Sequence, residues 1–123
     1  MRVYAPVISI KQFQAGQSIG YGSHYQCSRP STIAVVAIGY NEGYPRTLYE
    51  STAVRINDTL APVVGRVSMD MITVDVTDTA CHIGDTAEIW GDHISLSSIA
   101  RAADTIPYEI LCNTSGSIHR EYV

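Results

Sequence analysis

The chain has 123 residues, 46% hydrophobic and 16% charged, and a formal net charge of −4. This is enough for one domain with its own core, and the composition excludes a disordered chain or a coiled coil. The acidic balance argues against nucleic acid, the longest apolar run (Ile33 to Ile38) is too short to cross a bilayer, and no charged-then-apolar leader opens the chain, so a cytoplasmic location is expected.

Short β-branched runs separated by turn residues predict a mainly β domain over residues 1–123. Val3 to Ile10 reads as the first strand. Val3, Ala5 and Val7 fall on one face and Ile8 and Ile10 on the other, with Pro6 pointing to an edge position or a break. Gln14-Ala15-Gly16 ends the run, and Ser18-Ile19 leads toward Tyr21 in an expected hairpin. Ser31 to Ile38 is almost continuously apolar, as in a strand buried on both faces. Gly39 to Tyr49 reads as a loop. Ala53 to Ile56 and Leu60 to Val64 flank Asn57-Asp58, which suit a tight turn. Ile72 to Val76 alternates, Ile83-Gly84-Asp85 turns into a strand over Thr86 to Trp90, and Gly91-Asp92-His93 turns again. Ser95 caps a helix in which Leu96, Ile99, Ala100 and Ala103 recur at helical spacing. Asp104-Thr105 can cap a second short helix containing Tyr108, and residues 115–123 return as a last strand. The fold class is a small β-barrel or sandwich with one or two short helices.

The residues suited to chemistry cluster near glycines. Tyr21 stands in Gly20-Tyr21-Gly22, where flanking glycines bring the backbone close to a neighbour and leave the ring protruding. A tyrosine serves as a base only where positive charge or donors lower its pKa, and Arg46 and Arg66 are the local sources of such a field. Arg46 reads equally as an ion-pair partner of Glu42 or Glu50, and Arg66 as a surface arginine or a carboxylate-binding one. Met69 suits a core gap, and Asp70 suits fixing the turn before Ile72. Tyr108, at a helix start, is placed either like a phosphate contact or like a packing residue. Cys27, Cys81 and Cys112 form no CxxC pair and read as free thiols. His24 and Cys27 lie three apart with no second ligand pair, so no metal is expected. Lys11 is the chain's single lysine.

Together, Val7-Ile8-Ser9, Ala15-Gly16, Ile19-Gly20-Tyr21-Gly22, Ile38-Gly39-Tyr40 through Arg46, Pro62 through Asp70, Ile83-Gly84-Asp85, Trp90-Gly91 and Thr105 through Glu109 resemble the C-terminal β-domain of the alanine racemase family. The resemblance covers essentially the whole chain. It implies a pyridoxal-phosphate enzyme of bacterial cell-wall synthesis that interconverts L- and D-alanine through an aldimine. Its cofactor is anchored on a lysine of an N-terminal TIM-type barrel. It further implies that Tyr21 is the base for L-alanine, acting across a head-to-tail homodimer, while the barrel lysine handles D-alanine. Met69 then lies near the substrate carboxylate and Tyr108 bonds the cofactor phosphate. Tyr40, Arg46, Arg66, Asp70 and Ile106 line the substrate approach and its gate.

Lys11 does not match the Schiff-base lysine, so the chain by itself is expected to be catalytically silent, a domain separated from the barrel that anchors the cofactor. Three stretches depart from the usual family pattern: Asn41-Glu42, where a small residue and Asp are commoner; Ser68, where Cys often stands; and Ser117-Ile118-His119. Competing readings are a racemase domain acting on serine or lysine, and a standalone β-barrel binding module without catalysis.

Overall fold

A computed structural model of the chain describes residues 2–19, 25–44 and 52–102 and the short strand 119–121. The first strand, β1 (Arg2–Phe13), is long enough to belong to two neighbours in succession. Its first half pairs antiparallel with β8 (Thr86–Trp90), matching Val3 to Trp90 and Pro6 to Thr86. Its second half pairs with β4 (Ser31–Val36), matching Val7 to Val36 and Phe13 to Ser31. The sequence reading of Pro6 as an edge or a break is corrected here. The strand runs straight through it, at the point where β1 leaves β8 for β4. A residue without an N–H costs little at that changeover, and the Pro6 carbonyl still accepts from the Ala37 N–H at 3.0 Å.

A register shift between Val7 and Ser9 follows immediately. Such a bulge inserts one residue and reverses which side chains face inward. Val3, Ala5 and Val7 are buried as expected, whereas Ile8 is 49% exposed and Ile10 turns back onto the core. The expectation that Ile8 and Ile10 share a face is therefore corrected.

The remaining strands close the sheet. Hydrogen-bonded neighbours run β4, β7 (Ile72–Asp75), β6 (Thr59–Val64), β5 (Ala53–Ile56), β8 and β1, and the β1–β4 pairing joins the ends into a six-stranded antiparallel barrel. The fold is thus a barrel rather than a sandwich. The last strand, β9 (His119–Glu121), adds outside the ring, on the Arg2–Tyr4 end of β1. Val3, Val36, Ile38, Val54, Ile56, Ile72, Val74, Ile89 and Trp90 fill the interior, each at 0% exposure. Ser95 caps α1 (Leu96–Ala102) through Oγ, which accepts from the Ser98 N–H at 3.0 Å, and Ile99 and Ala100 are buried against the barrel. The expected second helix lies outside the described residues. No helix among the described residues is long and apolar enough to cross a membrane.

The expected hairpin forms between β2 (Ser18–Ile19) and β3 (Tyr25–Gln26), not between β1 and β2. It lies on the barrel's outside, where Ile19, Cys27, Ile33 and Val64 make a second small core with Phe13 and Tyr25 packed against it. This explains why β4 is apolar on both faces from Ile33 onward. Ala34 and Val36 face the barrel interior, and Ile33 faces the hairpin. Between β5 and β6 the turn residues Asn57 and Asp58 have φ of 47° and 65°, the mirror-image turn that suits twisted hairpins.

Candidate functional site

At one rim of the barrel β4 and β6 end and β7 begins, and two short turns interlock there. Leaving β4, the chain passes Ile38 and Gly39 into a 3-10 turn over Tyr40–Glu42. Between β6 and β7 it passes Gly65-Arg66-Val67 and turns over residues 68–71. The two turns approach so closely that a Cβ on Gly39 would lie 2.3 Å from the Ser68 carbonyl oxygen, 2.5 Å from that of Met69 and 2.6 Å from the Asp70 nitrogen. Glycine is needed for that approach rather than for its φ of −144°. The approach places two hydrogen bonds between the turns. Tyr40 N–H donates to the Ser68 carbonyl at 3.1 Å, and Asn41 N–H to that of Met69 at 3.0 Å.

Each turn is also closed on itself. Ser68 Oγ donates to the Met71 carbonyl at 2.9 Å and accepts from the Met71 N–H at 3.2 Å, beside a Ser68 N–H to Met71 carbonyl bond of 3.0 Å. The side chain that fixes this turn is therefore Ser68, whereas sequence reasoning considered Asp70 for that work. In the 3-10 turn Glu42 Oε1 accepts from the Gly39 N–H at 3.1 Å. The Gly-x-x-Glu spacing of a capping box was the sequence signal for Glu42. Ser68 carried no comparable signal.

These turns present Tyr40, Met69 and Met71 at 38%, 47% and 40% exposure, with Arg66 and Asp70 also exposed. Met69 is thus displayed rather than used to fill the core. Met71, which sequence reasoning did not single out, joins it. Tyr44, in the same loop, has the opposite fate. It is buried, its hydroxyl has no hydrogen-bond partner among the described residues, and burial pushes its phenol above the ordinary 10.0. A phenol so placed keeps its proton and packs the core.

The β2 end joins this rim. Gly65 has a φ of +72°, and its Cβ position lies 3.5 Å from the Ile19 carbonyl oxygen. The strand end that runs into residues 20–24 therefore abuts the strand end that runs into Arg66. Tyr40, Arg66, Met69 and Asp70 are brought to one rim. Tyr21, Arg46, Ile106 and Tyr108 lie outside the described residues. Among the described residues, no group of three or more His, Cys, Asp or Glu could hold a metal ion.

The chain's single lysine does not stand at this rim. Lys11 is exposed on β1 opposite Ile33, three residues along β4 from Val36 and so about 10 Å from the rim end of that strand.

A family model described as "Alanine racemase, C-terminal domain" matches residues 1–122. The alanine racemase of Alcanivorax borkumensis is 44% identical over 99% of this chain and 35% of its own length. That of Thioalkalivibrio sulfidiphilus is 46% identical over 100% and 34%. Among solved structures, the alanine racemase from Acinetobacter baumannii superposes with a TM-score of 0.91 at 43% identity, covering 94% of this chain and 33% of that one. The enzyme from Bartonella henselae, solved with covalently bound pyridoxal phosphate, gives 0.93 at 37% identity, covering 99% and 34%. The chain spans about a third of the length of the curated relatives it matches. With a match to the family model over nearly every residue and a barrel that superposes closely on solved members, the chain belongs to the alanine racemase C-terminal domain family.

Proposed function

We propose that this domain supplies one half of an alanine racemase active site, with Tyr21 as the group that removes the α-proton of L-alanine and returns it in the reverse direction. The observation that supports this best is the meeting of the β2 end, which leads into Tyr21, with the Arg66–Met71 turn and Tyr40 on one rim. On this reading Arg66, exposed at that rim, is a fixed positive charge able to favour the phenolate of Tyr21. Met69 bears on the substrate carboxylate. Tyr40, Arg46, Asp70 and Ile106 shape the substrate's approach, and Tyr108 holds the phosphate of pyridoxal phosphate.

That cofactor, when bound, supplies the electron sink that makes the α-proton acidic. Its lysine comes from an N-terminal barrel. Tyr21 serves the site of a second subunit in a homodimer, so the two proton-transferring groups address opposite faces of the α-carbon. On this reading the chain alone is inactive, since Lys11 sits away from the rim. The relatives named above are alanine racemases, which favours alanine over serine or lysine as the substrate. A cytoplasmic enzyme making D-alanine for peptidoglycan is the corresponding biological setting.

Exchange of the α-hydrogen in deuterated water separates the two faces. In the enzyme carrying this domain, Tyr21→Phe is expected to slow exchange from L-alanine by about 10²–10⁴-fold, the usual worth of a positioned acid–base group. Exchange from D-alanine persists. Undiminished exchange from L-alanine would remove Tyr21 from the mechanism.

A further inference from the structure

We propose that Glu42 is a positioning residue whose carboxylate, by binding the Gly39 N–H, locks the 39–44 turn onto the 68–71 turn and so sets the backbone from which Tyr40 and Met69 project. The proposal rests on the functional reading of this rim. Gly39 is buried, and its N–H is met by Glu42 Oε1 at 3.1 Å. A buried donor left without a partner is costly, so Glu42 decides whether Gly39 can stay where it is. Gly39 in turn lies against the Ser68, Met69 and Asp70 backbone with no room for a methyl group, so a shift there is passed directly to the opposite turn. The two inter-turn bonds, from Tyr40 to Ser68 and from Asn41 to Met69, begin at the next two residues. Bonds from Glu42 N–H to the Gly39 carbonyl at 3.1 Å and from Tyr44 N–H to the same carbonyl at 3.2 Å complete a closed unit around Gly39. Tyr44, buried in the core, ties that unit to the barrel interior. Glu42 thus acts through the backbone and does not itself touch substrate.

The test compares Glu42→Gln, which keeps an acceptor oxygen, with Glu42→Ala, which removes it. Amide hydrogen exchange at Tyr40 and Asn41 is measured in the full chain, and KM and kcat for alanine in the enzyme carrying the same substitutions. In Glu42→Ala, exchange at Tyr40 and Asn41 is expected to rise about tenfold, the equivalent of one lost hydrogen bond. Amides of the core strands, such as Val54 and Ile89, stay protected. Glu42→Gln stays close to the parent, and KM for alanine rises in Glu42→Ala more than kcat falls. Unchanged exchange at Tyr40 and Asn41, exchange that rises in step with the core amides, or a Gln variant as loose as the Ala variant would each overturn the lock. A loosened turn with an unmoved KM would overturn the positioning role while leaving the Tyr21 assignment to its own experiment.

Discussion

Gly39 and Tyr44 lie five residues apart in one loop and are constrained in opposite ways. Gly39 holds its place by lacking a side chain. A methyl group there meets three backbone atoms at 2.3–2.6 Å, and backbone moves less readily than a side-chain tip. Gly39→Ala is therefore expected to destabilise the domain by about 1–3 kcal/mol, read as a lower denaturant midpoint, and to loosen the Tyr40 and Asn41 hydrogen bonds. An unchanged midpoint would mean the turns separate at no cost. Tyr44 is held by burial, which denies its phenol any use as a base. From the sequence both residues belonged to an undivided loop, Gly39 to Tyr49. Composition marks a turn but does not say which tyrosine a turn will bury, because that depends on strands distant in the chain. Tyr40 and Met69 were legible as candidates through family resemblance. That Ser68 braces its turn depended on backbone geometry and was not legible, whereas the Gly-x-x-Glu spacing that marks Glu42 was present but read only as a possible ion pair.

At the scale of elements, the β8–α1 connection shows how a single carboxylate organises a turn. Glu88 is buried at 7% exposure on β8, and its Oε2 accepts from the His93 and Ile94 N–H groups, both at 2.8 Å, while Oε1 lies 2.9 Å from His93 Nδ1. Burial would push this carboxyl up. The bonds from His93 and Ile94 outweigh it and hold the carboxyl below its ordinary 4.5. Because the folded value is the lower one, Glu88 stabilises the fold fully above about 4.5 and loses that contribution as pH falls through the folded value. Glu88→Gln is thus expected to cost about 1–3 kcal/mol near neutral pH. The gap between parent and variant, read from urea midpoints, should narrow as pH drops below 4.5. A gap that stays constant with pH would contradict the lowered carboxyl. The strands themselves were largely legible, since β4 to β8 follow runs of β-branched residues and the Ser95 cap marks α1. Two errors of element have one kind of cause, long-range pairing. The bulge after Val7 reverses the inward face of β1, and β2 finds its partner in β3. Periodicity within a strand contains neither fact.

For the molecule as a whole, barrel closure follows from β1 serving β8 with one half and β4 with the other, which leaves no edge in the ring. Closure also gathers the ends of β4 and β6 and the start of β7 onto one rim, and the outer hairpin brings the β2 end to the same place. Short strands with regular turns were compatible with a sandwich as well, because the choice rests on one long strand's double pairing. The rim displays a tyrosine, an arginine, an aspartate and two methionines, while the single lysine stands elsewhere, so the chemistry proposed for it requires a second domain. The most direct test is to mix this chain with a separately made N-terminal barrel and pyridoxal phosphate and to measure alanine racemisation in both directions, with Tyr21→Phe in parallel. Racemisation that appears only in the mixture and collapses with Tyr21→Phe is the predicted result. A folded mixture that fails to racemise alanine, or one indifferent to Tyr21, would contradict the account.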